Sequence, residues 1–248
     1  MKRTLLIIVL ILTIFSVEAA RRRITVTFEK TKDEIFTKPQ LKEILAGNAT
    51  PAILIRMPNG YGNVSSGESG ISGMDFTKAE KNQIVSAIEK SFILNGFSVR
   101  DRAIYEKILD QLKNGDYSKM ADLTGTDLVL EVVDISLEEY HTNTVDRKGE
   151  DKSYKCNFAG FYGWKVEMKV ISVKKNEIVG LYTFYKTPCT KGCEFELDLH
   201  CNLYSPKIKR VKDKAGNYPP FVYKVDVDGA KLDNFGNSIA KKLIEAMR

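Results

Sequence analysis

The stretch DLVLEVVDI at 127–135 constrains this chain more than any other, because it is mostly apolar and too short for a long helix. A run of that kind reads as a central strand covered on both faces, and such strands belong to sheets flanked by helices. The residues before it supply the helices. Thr77-Lys78-Ala79-Glu80 is a capping box, in which hydroxyl and carboxylate reciprocally satisfy orphan amides. Ile84, Val85, Ile88 and Phe92 then recur on one face, and Asn95-Gly96 stops the helix. FSVR at 97–100 is a short strand. Ile104, Tyr105, Ile108, Leu109 and Leu112 mark a second helix ending at Asn114-Gly115, and Asp116 opens a third that runs to Leu123.

The remainder fits the same class. RITVTF at 23–28 alternates as a strand does, a short helix is expected over 37–46, and AILIRM at 52–57 is a buried strand. Trp164, Val166, Met168 and Val170 alternate with charged residues, and KKNE turns the chain back, so 163–187 is a β-hairpin. Trp164 shares their parity and belongs to the core. Residues 138–158 are polar and read as irregular. Two further extended pieces, 194–204 and 221–227, flank the basic loop KIKRVKDK. The last helix turns Leu232, Phe235, Ile239, Leu243 and Met247 inward. The expected fold is α/β (α+β): a three-layer-like sheet of about five strands with helices packed on it, plus a β-hairpin extension.

The organisation expected is a signal peptide at 1–19 and one domain at 20–248. Its parts are a core half at 50–136, an irregular insertion at 137–162 and the hairpin at 163–187, then a cysteine-containing extended insertion at 188–228 and the helix at 229–248. The signal rests on Lys2 and Arg3, the apolar run Leu5–Phe15 and the small residues after it, too short to span a bilayer comfortably. It places the chain outside the cytoplasm, periplasmic or associated with a cell envelope. Retention of the segment as an anchor is the alternative. A net charge of +6 is too modest to imply nucleic acid, and the loop at 207–214 reads as solvated. Cys156, Cys189, Cys193 and Cys201 allow three pairings and are disulfide candidates; a zinc reading fits no standard spacing.

Sites of chemistry are harder to find. Gly60-Tyr61-Gly62 begins a glycine- and serine-rich loop over 59–73, but the next helix starts too far on for a dinucleotide turn. The two histidines, His141 and His200, have no nucleophile at motif spacing, and no catalytic signature occurs. No catalytic residue, cofactor or metal is therefore expected. Tyr61, Phe161 and Tyr162 are candidates for contact with a partner. Arg102 is a fourth. It lies in a helix's first turn, where the dipole disfavours a cation, so it needs a carboxylate partner inside the fold or on another chain.

The order of capped helix, FSVRDR, AIYEKILDQL and GTDLVLEV resembles the α/β domain of the CsgG, LpoB and TolB amino-terminal family. The matching positions are Asp101-Arg102, Ile108-Leu109 and Gly125-Thr126-Asp127, within residues 50–136. Asp101 is expected to cap the helix that follows. Arg56 and Glu131-Val132 depart from the family pattern, and no lipid-accepting cysteine follows the signal. The resemblance implies a non-enzymatic exported module that binds another envelope protein, as scaffold or regulator, with no membrane helix after cleavage; a homo-oligomer is compatible with it. A secretion-pore subunit is the second reading, resting on 195–203 and 221–227 as a membrane hairpin. A glycan-binding or hydrolytic protein using the 157–164 aromatics is the third.

Overall fold

The computed structural model describes residues 22–28, 32–48, 50–57, 75–102, 124–140, 142–147, 150–151, 160–189, 193–197, 203–204, 223–225 and 227–247. It is a mixed α/β fold, and the chain divides into two compact units. Unit 1 takes residues up to Lys30 together with Glu139–Gly163 and Thr187–Val225.

Unit 2 contains β2 (Glu34–Thr37), α1 (Pro39–Gly47), β3 (Ala52–Arg56), α2 (Lys78–Leu94), β4 (Ser98–Val99), and most of β5 (Leu128–Tyr140), β8 (Phe161–Ser172) and β9 (Glu177–Lys186), then α3 (Gly229–Met247). Its sheet has the order β2-β9-β8-β5-β3-β4. β3 pairs in parallel with β4 and β5, and β8 and β9 form the expected antiparallel hairpin. Just past β8, the Val173 amide donates to the carbonyl of Asp127, just before β5, so these two neighbours are antiparallel.

Local signals explain the helices. In α2 the Thr77 hydroxyl accepts from the Glu80 amide at 3.2 Å, and the Glu80 carboxylate accepts from the Thr77 amide at 2.7 Å. Ile84, Val85, Ile88 and Phe92 are buried as the periodicity requires. In α3 all five residues expected inward are buried. The two helices pack on each other at Gly236, where a Cβ would sit 2.6 Å from the Ile84 carbonyl oxygen. Glycine is needed there for close approach. On the helix-facing side of the sheet, Trp164 is fully buried between Phe76 and Phe235, each with its ring centroid 5.5 Å away. That confirms its core assignment.

Unit 1 holds β1 (Arg22–Phe28), β6 (Thr142–Arg147), β7 (Glu150–Asp151), β10 (Cys193–Leu197) and β11 (Leu203–Tyr204), in the order β11-β10-β1-β6-β7. β12 (Tyr223–Lys224) pairs in parallel with Phe161 and Tyr162. Ile24, Val26, Phe161, Cys193 and Phe195 form the buried core of this unit.

Two expectations need correction. Residues 138–158 are not wholly irregular: β5 continues to Tyr140, and TNTVDR forms β6 against β1. Nor do 194–204 and 221–227 pair with each other among the described residues. β10 pairs with β1 and β11, β12 pairs with β8, and Phe195 is buried in the unit 1 core. The helix expected at 101–115 and the short one after it lie outside the described residues beyond Arg102.

Candidate functional site

The motif GTD at 125–127 is resolved as a joint between strands. Gly125 has φ +59, in the left-handed region that glycine enters without strain. The turn it allows sets the Asp127 carboxylate 2.8 Å from the Ala52 amide and 3.4 Å from Asn48 Nδ2. The Asp127 amide in turn donates to the Ala52 carbonyl at 2.9 Å. Asp127 therefore ties the starts of β3 and β5 together. Its role is positioning, and the sequence signal for it is the acid that opens a central strand.

The departures from the family pattern meet beyond that joint. Arg56 and Glu131 are register partners on β3 and β5, their charged groups 3.6 Å apart. Lys169 on β8 reaches the same carboxylate at 2.9 Å. Glu131 is 11% exposed at its side chain and stands between two cations, so burial is offset by pairing. Lys169 in turn is opposite Leu181 on β9, and Leu181 is opposite Phe36 on β2. One row thus runs across five strands, from Arg56 through Glu131, Lys169 and Leu181 to Phe36.

A second group lies on the same face of β8. Lys165 is 3.0 Å from Glu167 and 3.7 Å from both Asp134 and Glu138. Burial lowers the Lys165 pKa, but the hydrogen bond and charge of Glu167, then Glu138 and Asp134, raise it overall. Neighbouring Tyr185 is pushed up by burial first, then by Glu34 and Glu138, with Lys165 opposing and Glu167 adding. Val133 and Asp134 are both turned outward between buried Val132 and Ile135, as at a bulge, which brings Asp134 to Lys165. Carboxylates outnumber cations here. The surface is acidic, with Leu181 (49% exposed) and Phe36 (56% exposed) at its margin. Ion pairs hold its side chains in place, and it presents charge and apolar area together, as a protein-docking surface does.

On the other side of the sheet, Lys186 Nζ lies 4.2 Å above the Trp164 ring and 5.7 Å from that of Phe235. Burial lowers its pKa, Lys231 adds to that, and Asp228 opposes it. Its ammonium is engaged with the rings and with the Lys231 carbonyl at 3.3 Å. Among the described residues no cluster of three or more histidine, cysteine or acidic side chains could hold a metal. No helix among them is long and apolar enough to cross a membrane.

The structure separates the sequence candidates. Phe161 is 2% exposed and packs edge-on against Phe28 at 5.1 Å and Phe195 at 5.7 Å, so it is a core residue and not a partner contact. Alternation gave no signal for this, because Phe161 has the parity of Lys165 and Glu167 and not that of buried Trp164, Val166 and Met168. Tyr162 is half-buried; burial raises its pKa, and the Glu139 carboxylate adds to it. Arg102 is half-buried, and its charge favours the ionised form of Glu89 on α2. Tyr61 lies outside the described residues. Cys189 and Cys193 are disulfide-bonded, with Cα atoms 5.5 Å apart; Cys156 and Cys201 lie outside the described residues. The sequence missed the acidic face, since its partners are spread over β2, β3, β5, β8 and β9.

No protein-family model matches the chain, and no curated protein matches it. Among solved structures it is similar to a PelC dodecamer from Paraburkholderia phytofirmans. In one crystal form the TM-score is 0.36 at 12% identity, over 88% of this chain and 99% of that one. In another the TM-score is 0.35 at 11% identity, over 87% and 96%. Likeness at that level bears on neither fold nor function.

Proposed function

We propose that this chain is a non-enzymatic, exported module that docks another envelope protein through the acidic sheet face of unit 2. The observation that carries the reading is the ordered array around Lys165, in which Asp134, Glu138 and Glu167 share one cation, with exposed Leu181 farther along the same face opposite Lys169. Partly exposed ion pairs contribute little to stability, so an array of this size is better accounted for by recognition than by folding. The amino-terminal sequence pattern supports export, and the resemblance of residues 50–136 to the CsgG, LpoB and TolB amino-terminal domains supports an envelope role. Burial of Phe161 and Phe195 favours this reading over the glycan-platform and membrane-hairpin readings, to which these two residues contributed.

Affinity purification of the tagged chain from gently solubilised envelopes tests the proposal. One stoichiometric envelope protein should co-purify. A Glu138→Lys, Glu167→Lys variant should lose it while melting within a few degrees of the parent. Retention of the partner by a folded variant would take the docking site off this face, and no co-purifying protein would end the docking reading.

A further inference from the structure

The edge of the unit 2 sheet is shaped to pair with itself. β2 is the terminal strand of that sheet, and no strand lies beyond it among the described residues. Its sequence, Glu-Ile-Phe-Thr, has no proline or lysine within it, and Ile35 and Phe36 are 49% and 56% exposed. Natural edges are commonly blunted by charge, proline or a bulge. This one is open, with Ile35 and Phe36 exposed at its centre.

The hydrogen-bond phase of the edge follows from its inner partner. Glu34, Phe36 and Lys38 fall opposite Thr183, Leu181 and Val179, and the Lys38 amide donates to the Val179 carbonyl at 2.9 Å. In an antiparallel ladder, bonded and non-bonded pairs alternate. Glu34, Phe36 and Lys38 therefore direct their main-chain groups toward β9, while those of Ile35 and Thr37 point outward.

We propose that a second copy of this chain pairs antiparallel with β2 about a two-fold axis at Phe36. Such an axis places each residue opposite one of the same parity. With Phe36 facing its own copy, Ile35 falls opposite Thr37, and the outward groups form four main-chain bonds. On the Phe36 face, Glu34 falls opposite Lys38 of the copy at both ends, and opposite charges on facing strands attract. Neighbouring registers are worse. Centring on Ile35 sets Lys32 against Lys38, and centring on Thr37 sets Ile35 against Pro39, which has no amide to donate. The charge pattern and the hydrogen-bond phase select one register. It is argued separately from the docking reading, whose array centres on Lys165 and reaches Phe36 only at its margin.

The purified full-length chain should show a concentration-dependent monomer–dimer equilibrium by sedimentation. Glu34→Lys and Lys38→Glu should each weaken the dimer about tenfold, since each reversal acts twice across the axis. The double variant Glu34→Lys, Lys38→Glu restores opposite charges and should recover the parent affinity. A Phe36→Cys variant should form a reducible covalent dimer that the parent does not, because facing non-bonded positions lie within disulfide reach, about 4.5 Å between Cα atoms. A monomer throughout, or association unchanged by either reversal, would overturn the proposal. So would a double variant no better than the singles, or a Phe36→Cys chain that stays uncrosslinked. If β2 instead accepts a strand from a different protein, the parent sediments as a monomer and the proposal fails.

Discussion

Arg56 and Glu131 are directly opposite each other on adjacent parallel strands, with guanidinium and carboxylate 3.6 Å apart. Each alone is out of place in an apolar strand. Together, with Lys169 at 2.9 Å from the same carboxylate, they form a partly buried charge row across the centre of the sheet.

Removing the shared carboxylate should therefore leave two cations without their common partner. Glu131→Gln should destabilise unit 2 by about 1–2 kcal/mol, between the costs of surface and fully buried pairs. Adding Arg56→Met should recover part of that loss. Denaturant unfolding of the two single variants and the double gives the coupling, and purely additive effects would show that the row is not a unit.

Asp127 answers a main-chain donor at the start of β3, 2.8 Å from the Ala52 amide. Asp127→Ala should cost about 1.5–3 kcal/mol, the range for hydrogen bonds to a charged group. Hydrogen exchange at Ala52 should quicken most. Protection there equal to the parent's would assign the stability of the joint elsewhere.

Glu89 makes stability depend on pH. Burial raises its pKa above the ordinary 4.5, the Arg102 charge opposes that, and Asp101 adds to it. Across the interval from 4.5 to the raised value, the folded state holds a proton that the unfolded chain has released. Stability therefore falls as pH rises through that interval and is level above it. Glu89→Gln should flatten this part of the curve in thermal melts from pH 4 to 8 and raise the midpoint at pH 7. A slope unchanged by the substitution would give the titration to another group.

The Cys189–Cys193 disulfide closes a short loop at the edge of the unit 1 core, with Cys193 beside Ile24, Val26 and Phe195. Loop-closure entropy for so short a loop is about 2 kcal/mol, so Cys189→Ser should lower the melting midpoint by about 4–8 °C. Non-reducing peptide mapping should recover the two cysteines linked. Linkage of either to Cys156 or Cys201 would contradict the pairing.

Much of this architecture could be read from the chain because its signals are local. The capping box at Thr77 and Glu80, the period of α3, the turn between β8 and β9, and the apolar run of β5 each lie within a few residues of what they specify. What tertiary structure alone decided depends on residues far apart. β2 carries no alternation of burial and is a strand only through β9, about 150 residues later in the chain by the Glu34–Thr183 register. TNTVDR is polar enough to read as a loop, yet β1 supplies the hydrogen bonds that make it β6. Phe161 sits in an aromatic run that suggests a surface platform, and only the approach of Phe28 and Phe195 buries it. Arg56 and Glu131 look like separate anomalies until the parallel register of β3 and β5 sets them opposite each other. Helices and turns are specified by neighbours in sequence. Sheet edges, cross-strand charge rows and buried aromatics are specified by partners that sequence order does not reveal.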